Sequence, residues 1–429
     1  MAPAVEKAAL RYLFIHQNFP GQFLHLLRFL VAQGSNDLVF ICELTENNIP
    51  GVRKLTYPPP MANPQTFADA RELEVALTRA RIVQEVALRL RDLGFRPDIV
   101  IGHHGWGELL NIRDVWDEMP LLGYYEFFYR ETGFDVGFDT EFPVSINGHG
   151  GVRAKNAVNL LALDNPGHGQ TPTRFQLSTY PDWAQERITV LPEGVDLELC
   201  RPDPAVRMEV IELGDFRIEP TDTLVTYVSR DLEPYRGFHT MMRAVPTLHR
   251  HRPDLKIVMV GADGVSYGAR LMDTTWRAFM LAEVGPRIDP ARLCFPGRVP
   301  YDLFLRLLQR SDAHVYLTYP FVLSWSLREA MACGCAIIGS DTAPVREFIA
   351  DGKTGLLADC LDPDAVASAV IRVLDDPALA RRLRRNARRQ AEKTLRMDDY
   401  LQAFQALIAR VIATTRAGQA GSSTGGTRG

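Results

Sequence analysis

Short runs of Val, Ile, Leu and aromatic residues recur along the chain, separated by longer stretches whose apolar residues lie three or four apart. In the first half the runs fall at 12–16, 38–42, 98–103 and 121–128. Residues 22–32 carry apolar positions at Phe23, Leu26, Leu27 and Leu30, and residues 68–93 form a longer helical pattern. Continuous apolar strands alternating with helices predict a parallel sheet covered on both faces. The pattern then returns. Strands are predicted at 224–230, 257–261, 292–297, 314–318, 336–340 and 355–358, with helices at 238–249, 303–308, 327–331 and 364–373. Two successive doubly wound modules follow from this, joined across 191–204, where proline and charge accumulate. Sheets of this kind bind ligands beyond the carboxyl ends of their strands. Two such modules facing each other would enclose one cleft. The last helices reach about Ile412, and the Gly/Ser/Thr-rich stretch that follows cannot build a core.

Composition narrows the class. A chain of 429 residues exceeds one ordinary core, and 46% hydrophobic with 23% charged residues is globular rather than disordered. Lys plus Arg is 48 against 52 for Asp plus Glu, so the basic excess of a general nucleic-acid binder is missing. No apolar run approaches the ~18 residues that span a bilayer. The opening residues lack the basic, apolar and small-residue succession of a signal peptide. Six scattered cysteines without a CxxC pair fit buried free thiols in a reducing compartment. The expectation is a cytoplasmic enzyme. Neither a P-loop nor a GxGxxG fingerprint is present.

Four stretches carry candidate chemistry. The richest is 319–357, where a loop leaves a strand after Thr318 and enters a helix carrying Glu329. Backbone N–H groups at a helix start bind anions without a lysine, and Ser324 and Ser326 add hydroxyl donors. Glu329 inside the cleft would accept hydrogen bonds from a ribose diol; taken alone, it is an ordinary solvated helix carboxylate. The second stretch, VSRDLEPYRGF, places Arg230 and Arg236 just after a strand. Guanidinium forks grip phosphate oxygens and would stabilise a departing diphosphate; either arginine alone reads as a surface residue. The third, IGHHGWGELL, sets His103 and His104 at a strand end. Adjacent positions of an extended chain face opposite ways, so at most one histidine meets the cleft, and a satisfied core histidine explains either one as well. The fourth, HQNFPGQF, delivers His16 and Asn18 into a turn where Gly21 would let backbone approach a ligand closely.

Together these residues resemble glycosyltransferase family 4, retaining sugar-nucleotide enzymes with the GT-B fold. The resemblance runs from Arg11 to about Val411 and is strongest over 224–357. It is also similar to a bacterial subgroup with GHxGWGE, here Gly102–Glu108, PTxxQ, here Pro172–Gln176, and TYPFVLSWS, here Thr318–Ser326. The resemblance implies two Rossmann-like domains facing across a cleft: 1–190 on the acceptor side and 191–395 binding the nucleotide sugar. A C-terminal helix at 396–415 would cross back, and 416–429 would be a disordered tail.

By the same resemblance Arg230 and Arg236 lie at the donor diphosphate, with Arg236 replacing the more usual lysine. Glu329 is the second glutamate of the E-x7-E signature and holds the ribose. Gly21 lies near donor phosphate and acceptor, and His103 near the transferred sugar. Backbone amides around Leu323, Ser324 and Trp325 would position the hexose, since the first signature glutamate is replaced by Phe321. The implied reaction moves a sugar from a nucleoside diphosphate sugar to an acceptor hydroxyl with retention, needing no metal and no cofactor, in bacterial polysaccharide or glycoconjugate synthesis. The partners implied are that donor and a carbohydrate or lipid-linked acceptor, with no nucleic acid. A silent sugar-nucleotide binder and a GT-B epimerase are the alternatives. The arginine-dense run 381–396 reads first as a solvated helix face. Its other reading is peripheral contact with the inner face of the cytoplasmic membrane.

Overall fold

The computed structural model describes residues 9–165 and 167–424, without the side chains of Asn147 and residues 420–424. The chain divides into two compact units: 1–131 with 144–192 and 398–429, and 132–143 with 193–397.

The first unit is built on a seven-stranded sheet of β1 (Arg11–Ile15), β2 (Asp37–Glu43), β3 (Val52–Tyr57), β4 (Ile99–His103), β5 (Leu121–Tyr124), β6 (His168–Thr171) and β7 (Ile188–Val190). Every ladder is parallel, and the order is β3-β2-β1-β4-β5-β6-β7. The order reverses between β1 and β4, where such sheets hold ligands. The helices of this unit are α1 (Leu24–Ala32), α2 (Arg71–Asp92), α3 (His149–Asp164), α4 (Arg174–Thr179) and α5 (Asp182–Gln185). All five residues of β4 are buried, and Leu13, Ile15, Val39, Ile41, Val83 and Val100 form the core beneath α2. The predicted run at 121–128 is a strand only to Tyr124, because the chain leaves the sheet there to carry Glu126 and Phe127 over its carboxyl end.

The second unit opens with a small antiparallel hairpin, β8 (Ile211–Leu213) and β9 (Phe216–Ile218). Its main sheet has six strands: β10 (Thr223–Asp231), β11 (Leu255–Ala262), β12 (Leu293–Gly297), β13 (Ala313–Tyr316), β14 (Ile337–Ser340) and β15 (Leu356–Ala358). They are parallel in the order β12-β11-β10-β13-β14-β15, with the reversal between β10 and β13. The covering helices are α6 (Phe238–His251), α7 (Trp276–Val284), α8 (Tyr301–Arg310), α9 (Trp325–Ala332), α10 (Ala343–Arg346), α11 (Pro363–Asp375) and α12 (Pro377–Thr394). Tyr227, Phe238, Met241, Val245 and Ile257 anchor its core. In α12 the buried residues are Leu379, Leu383, Ala387 and Ala391, four apart, so the arginines between them are carried around a single narrow apolar stripe.

The last helix, α13 (Met397–Thr424), groups with the first unit from Asp398 onward. Within that unit its Arg410 donates to Thr189 Oγ1 at 2.8 Å. The helix continues through most of the stretch expected to be a disordered tail from 416. Its backbone satisfies its own hydrogen bonds, and Ala and Gln extend it past the point where Gly, Ser and Thr predict a stop. Only 425–429 of that expectation, like the opening residues 1–8, lie outside the described residues. Among the described residues no helix is long and apolar enough to cross a membrane.

Candidate functional site

In the first unit the strands at the reversal deliver two imidazoles side by side. His16 follows β1 and His103 ends β4; both are buried, with ring centroids 5.1 Å apart and planes at 77°. His103 Nδ1 accepts the Gly105 N–H at 3.1 Å, so Nε2 carries the proton in the neutral ring and points it at Glu126 Oε2, 3.2 Å away. His104 turns the other way, as adjacent strand positions require. It stacks on Tyr125 at 3.7 Å and donates from Nε2 to the Asn159 carbonyl at 3.2 Å. Burial pulls its pKa down to about 3, with His103 adding repulsion. His16 is likewise held well below the usual imidazole range, first by burial and then by His103.

The GHxGWGE motif explains itself locally. Gly107 has φ +95°, and a Cβ there would lie 2.3 Å from the Ala76 carbonyl oxygen, so only glycine lets the loop close onto α2. Arg79 of α2 clamps that loop by donating to the Trp106 carbonyl at 2.8 Å while pairing with Glu43 at 3.0 Å. Glu108 is fully buried; Oε1 accepts the Gln17 N–H at 2.9 Å, Oε2 has no hydrogen-bond partner, and burial raises its pKa. Gly21 has φ +54°, and a Cβ there would approach the His16 ring to 3.2 Å. A cavity of about 300 Å³ opens in front of His103, Trp106, Gln17 and Glu126, with Arg79 and Lys155 on its wall.

Glu126 is a residue that the sequence reading missed. The PTxxQ motif holds its backbone: Thr173 caps α4 by accepting the Gln176 N–H at 3.0 Å, and Gln176 Nε2 donates to the Glu126 carbonyl at 2.8 Å. The N-cap of α4 and the Gln176 amide it orients therefore hold the backbone that carries the carboxylate facing His103.

In the second unit, Ser229 and Arg230 lie at the carboxyl end of β10, with Arg230 exposed. They share a depression of about 400 Å³ with Arg298, Val299, Tyr301 and Phe304. Tyr301 donates to Glu329 Oε1 at 2.7 Å, and burial raises the carboxyl's pKa. Arg298, a cation that the sequence reading did not single out, lies 3.7 Å from Asp231 and is 71% exposed. Tyr301 thus links Arg230, which lines the depression, to Glu329, which stands behind it and not on its wall.

Arg236 is not brought there. It is 7% exposed, donates from Nη1 to Thr318 Oγ1 and to the Val322 carbonyl at 2.9 Å each, and lies over the Tyr267 ring at 5.0 Å. Its position is a brace for the 318–322 loop. Glu233 fixes Tyr267 in turn by accepting the backbone N–H groups of Ser266, Tyr267 and Gly268. Phe321 is buried between Tyr235 and Tyr267, at 5.5 and 4.9 Å.

The SWS loop is occupied by its own bonds. Ser324 caps α9, its Oγ accepting from the Ser326 N–H at 3.3 Å and from the Ser326 hydroxyl at 3.1 Å. The Ser324 amide, expected to face a hexose, instead donates to the Tyr316 hydroxyl at 2.8 Å. Trp325 donates its indole N–H to Glu193 at 2.9 Å, which Arg328 also holds at 3.1 Å. Among the described residues one group has the spacing of metal ligands: Asp139, Glu141 and His239. Arg243 grips Glu141 through both carboxylate oxygens, at 2.6 and 2.7 Å, and its positive charge opposes a cation there.

Comparison with known proteins bears on both units. The family model "Glycosyl transferase family 4 group" matches residues 34–200, and "Glycosyl transferases group 1" matches 213–390. A GDP-mannose-dependent alpha-(1-6)-phosphatidylinositol monomannoside mannosyltransferase of Mycolicibacterium smegmatis is 29% identical over 227 residues, 49% of this chain and 52% of that protein. A D-inositol 3-phosphate glycosyltransferase of Corynebacterium glutamicum is 29% identical over 193 residues, 44% of each. The matched region thus spans about half the length of these curated relatives.

Solved structures with the same fold include a sucrose-phosphate synthase from Thermosynechococcus elongatus, with TM-score 0.72 and 17% identity over 94% of this chain and all of that one. Anabaena HepE in complex with UDP-glucose also matches, with TM-score 0.64 and 13% identity over 94% of this chain and all of that one. With both parallel sheets in place and both models matched in order along the chain, the protein has the GT-B fold and is related to the glycosyltransferases of the family 4 group and group 1.

Proposed function

We propose that the protein transfers a sugar from a nucleoside diphosphate sugar to an acceptor hydroxyl with retained anomeric configuration and without a metal. The observation that carries this reading is the depression at the carboxyl end of β10, where Arg230 and Arg298 stand beside Tyr301 and its bonded Glu329. Two guanidinium groups suit a diphosphate, and a carboxylate with one oxygen free of Tyr301 suits a ribose diol. The mannosyltransferase relative is named for its GDP-mannose dependence, and HepE was solved with UDP-glucose, which supports a nucleotide-sugar donor.

In the reaction the bond from the sugar's anomeric carbon to the diphosphate oxygen breaks and the bond to the acceptor oxygen forms on the same face. The acceptor proton passes to the leaving phosphate, so no side-chain nucleophile is required. Arg230 and Arg298 meet the charge that grows on the leaving group. Arg236 acts by holding the 318–322 loop in place. The acceptor, a carbohydrate or a lipid-linked one, is assigned to the first unit's cavity before His103 and Trp106. The setting proposed is bacterial polysaccharide or glycoconjugate synthesis at the cytoplasmic face of the membrane.

A second reading, nucleotide-sugar binding without turnover, draws on Phe321, which packs among tyrosines where typical members of the resembling family carry a sugar-binding carboxylate. A panel of UDP-, GDP- and ADP-sugars incubated with mono- and disaccharide and polyprenyl-phosphate-sugar acceptors, with products read by mass and by anomeric NMR coupling, decides between them. A glycosylated product with the donor's anomeric configuration, formed equally in EDTA, is expected. An inverted product or full dependence on added Mn2+ would overturn the mechanism, and tight binding of a donor without any product would establish the silent reading.

A further inference from the structure

The arginine-dense helix α12 is not used by the chemistry above, yet it helps form a second polar cavity, of about 370 Å³, in the second unit. Thr223, the first residue of β10, lies on its wall, while Ser229 and Arg230 near the other end of that strand line the donor depression. At ~3.3 Å per residue the two sites lie roughly 20–25 Å apart, at opposite ends of one sheet.

The walls carry Arg207, Arg252, Arg310, Arg381 and Arg384 against two carboxylates, Asp222 and Asp312. Asp312 is shared by Arg207 at 2.9 Å, Arg310 at 3.1 Å and Arg384 at 3.6 Å. Asp222 is taken by Lys256 at 2.8 Å, and Arg252 pairs with Asp254 and Asp375. With these neighbours counted, six cations face four carboxylates. Arg381 is exposed and has no ion-pair partner among the described residues.

The buried groups also hold unused donors. Arg310 is 1% exposed, and its Nη atoms are fixed by Asp312 and by the carbonyls of Glu219, Pro220 and Asp222, while its Nε has no hydrogen-bond partner. Arg384 is tied to the carbonyls of Ser311 and Asp312, and its Nε is likewise without a partner. Burial, with the added repulsion of Arg207, lowers the Arg384 pKa, as expected for a cation short of counter-charge. Guanidinium groups held rigid by backbone carbonyls are preorganised for a multiply charged oxyanion.

We propose that this cavity is a second anion site, binding a soluble phosphate-bearing ligand such as a pyrophosphate or a sugar monophosphate, distinct from the donor site. Its cations lie at the amino-terminal end of the sheet, so the ligand is an effector or a retained product group and not the reacting donor.

The test is calorimetric titration of the full chain at low salt with inorganic pyrophosphate and with a hexose monophosphate. The wild type, Arg230→Ala and Arg381→Glu are compared, with melting temperature recorded for each. Binding is expected to persist in Arg230→Ala and to weaken about ten-fold or more in Arg381→Glu, at unchanged melting temperature. Should Arg381→Glu melt early, Arg381→Gln, which removes the charge without reversing it, reads the same loss. Binding abolished by Arg230→Ala and indifferent to both Arg381 variants would place the anion in the donor depression and overturn the proposal. So would no binding of either anion, or capture only by anionic phospholipid vesicles.

Discussion

The two units present opposite chemistry at equivalent places in their sheets. Beyond β1 and β4 the first unit gathers imidazoles and carboxylates that are already enclosed: His16, His103 and His104 are at most 2% exposed, and Glu108 is fully buried. Beyond β10 the second unit offers guanidinium groups to solvent, Arg230 exposed and Arg298 71% exposed. Enclosed polar groups must be satisfied by their neighbours, and removing one leaves another stranded. Exposed arginines contribute little to folding and keep their capacity for a ligand. The first site is therefore set by folding, and the second is completed by what binds to it. Within the second unit, Arg236 and Phe321 belong to the enclosed kind, although the sequence places them next to the exposed kind.

The largest effect is expected at Phe321. Phe321→Glu puts a carboxylate among Tyr235 and Tyr267, and burying such a group costs on the order of 3–5 kcal/mol. A fall of about 10 °C in melting temperature should follow. A variant that melts like the wild type but changes its sugar preference would move Phe321 into the donor site and break the comparison.

Next comes the pair of arginines. Arg236→Ala removes two hydrogen bonds from a buried cation and should cost about 2–4 kcal/mol of stability as well as turnover. Arg236→Lys should recover part of both. Arg230→Ala should leave melting unchanged and weaken nucleoside diphosphate binding about ten-fold, an effect that high salt diminishes. Equal losses of stability in both alanine variants would contradict the enclosed-versus-exposed distinction.

The effect that is smallest near neutral pH is on acid stability. The pKa of His104 is about 3 in the folded chain and 6.5 ordinarily, so the unfolded chain takes up a proton that the folded one refuses. Its contribution is complete above pH 6.5 and is lost progressively as pH falls toward 3, at up to ~1.4 kcal/mol per pH unit. His104→Phe, which keeps a ring against Tyr125, should flatten the acid limb of a stability-against-pH curve by one proton. An unchanged slope would mean that other depressed imidazoles, such as His16 in the first unit and His314, with pKa about 4, in the second, carry the limb.

Much of this organisation was legible in the sequence because the central strands are uniformly apolar. β1, β2, β4, β10 and β13 are buried on both faces and announce themselves. β3 does not, since Arg53 and Lys54 lie on an edge strand with residues open to solvent, and β6 reads His-Gly-Gln-Thr. α3 starts at a histidine and two glycines and buries Asn156 and Asn159 because their amides serve the carbonyls of Tyr129 and Phe127. That is a tertiary reason no local pattern displays. The same holds at the sites. His103, Arg230 and Glu329 are visible as strand-end and helix residues, whereas Glu126, Arg298 and Tyr301 matter only through what the sheet order brings beside them. The separation of Arg236 from Arg230 is invisible in a stretch where both follow one strand.

The placement of α13 bears on how the chain is made. The first unit is interrupted twice and receives its last helix only after 205 consecutive residues of the second unit, 193–397, have been synthesised. The second unit is nearly continuous and can condense as it emerges, while the first must wait with the surface that α13 covers open to water. A fragment ending at Pro192 would keep all seven strands of its sheet yet expose that surface, and so would be prone to aggregate. Co-translational folding would thus complete the later unit before the earlier one.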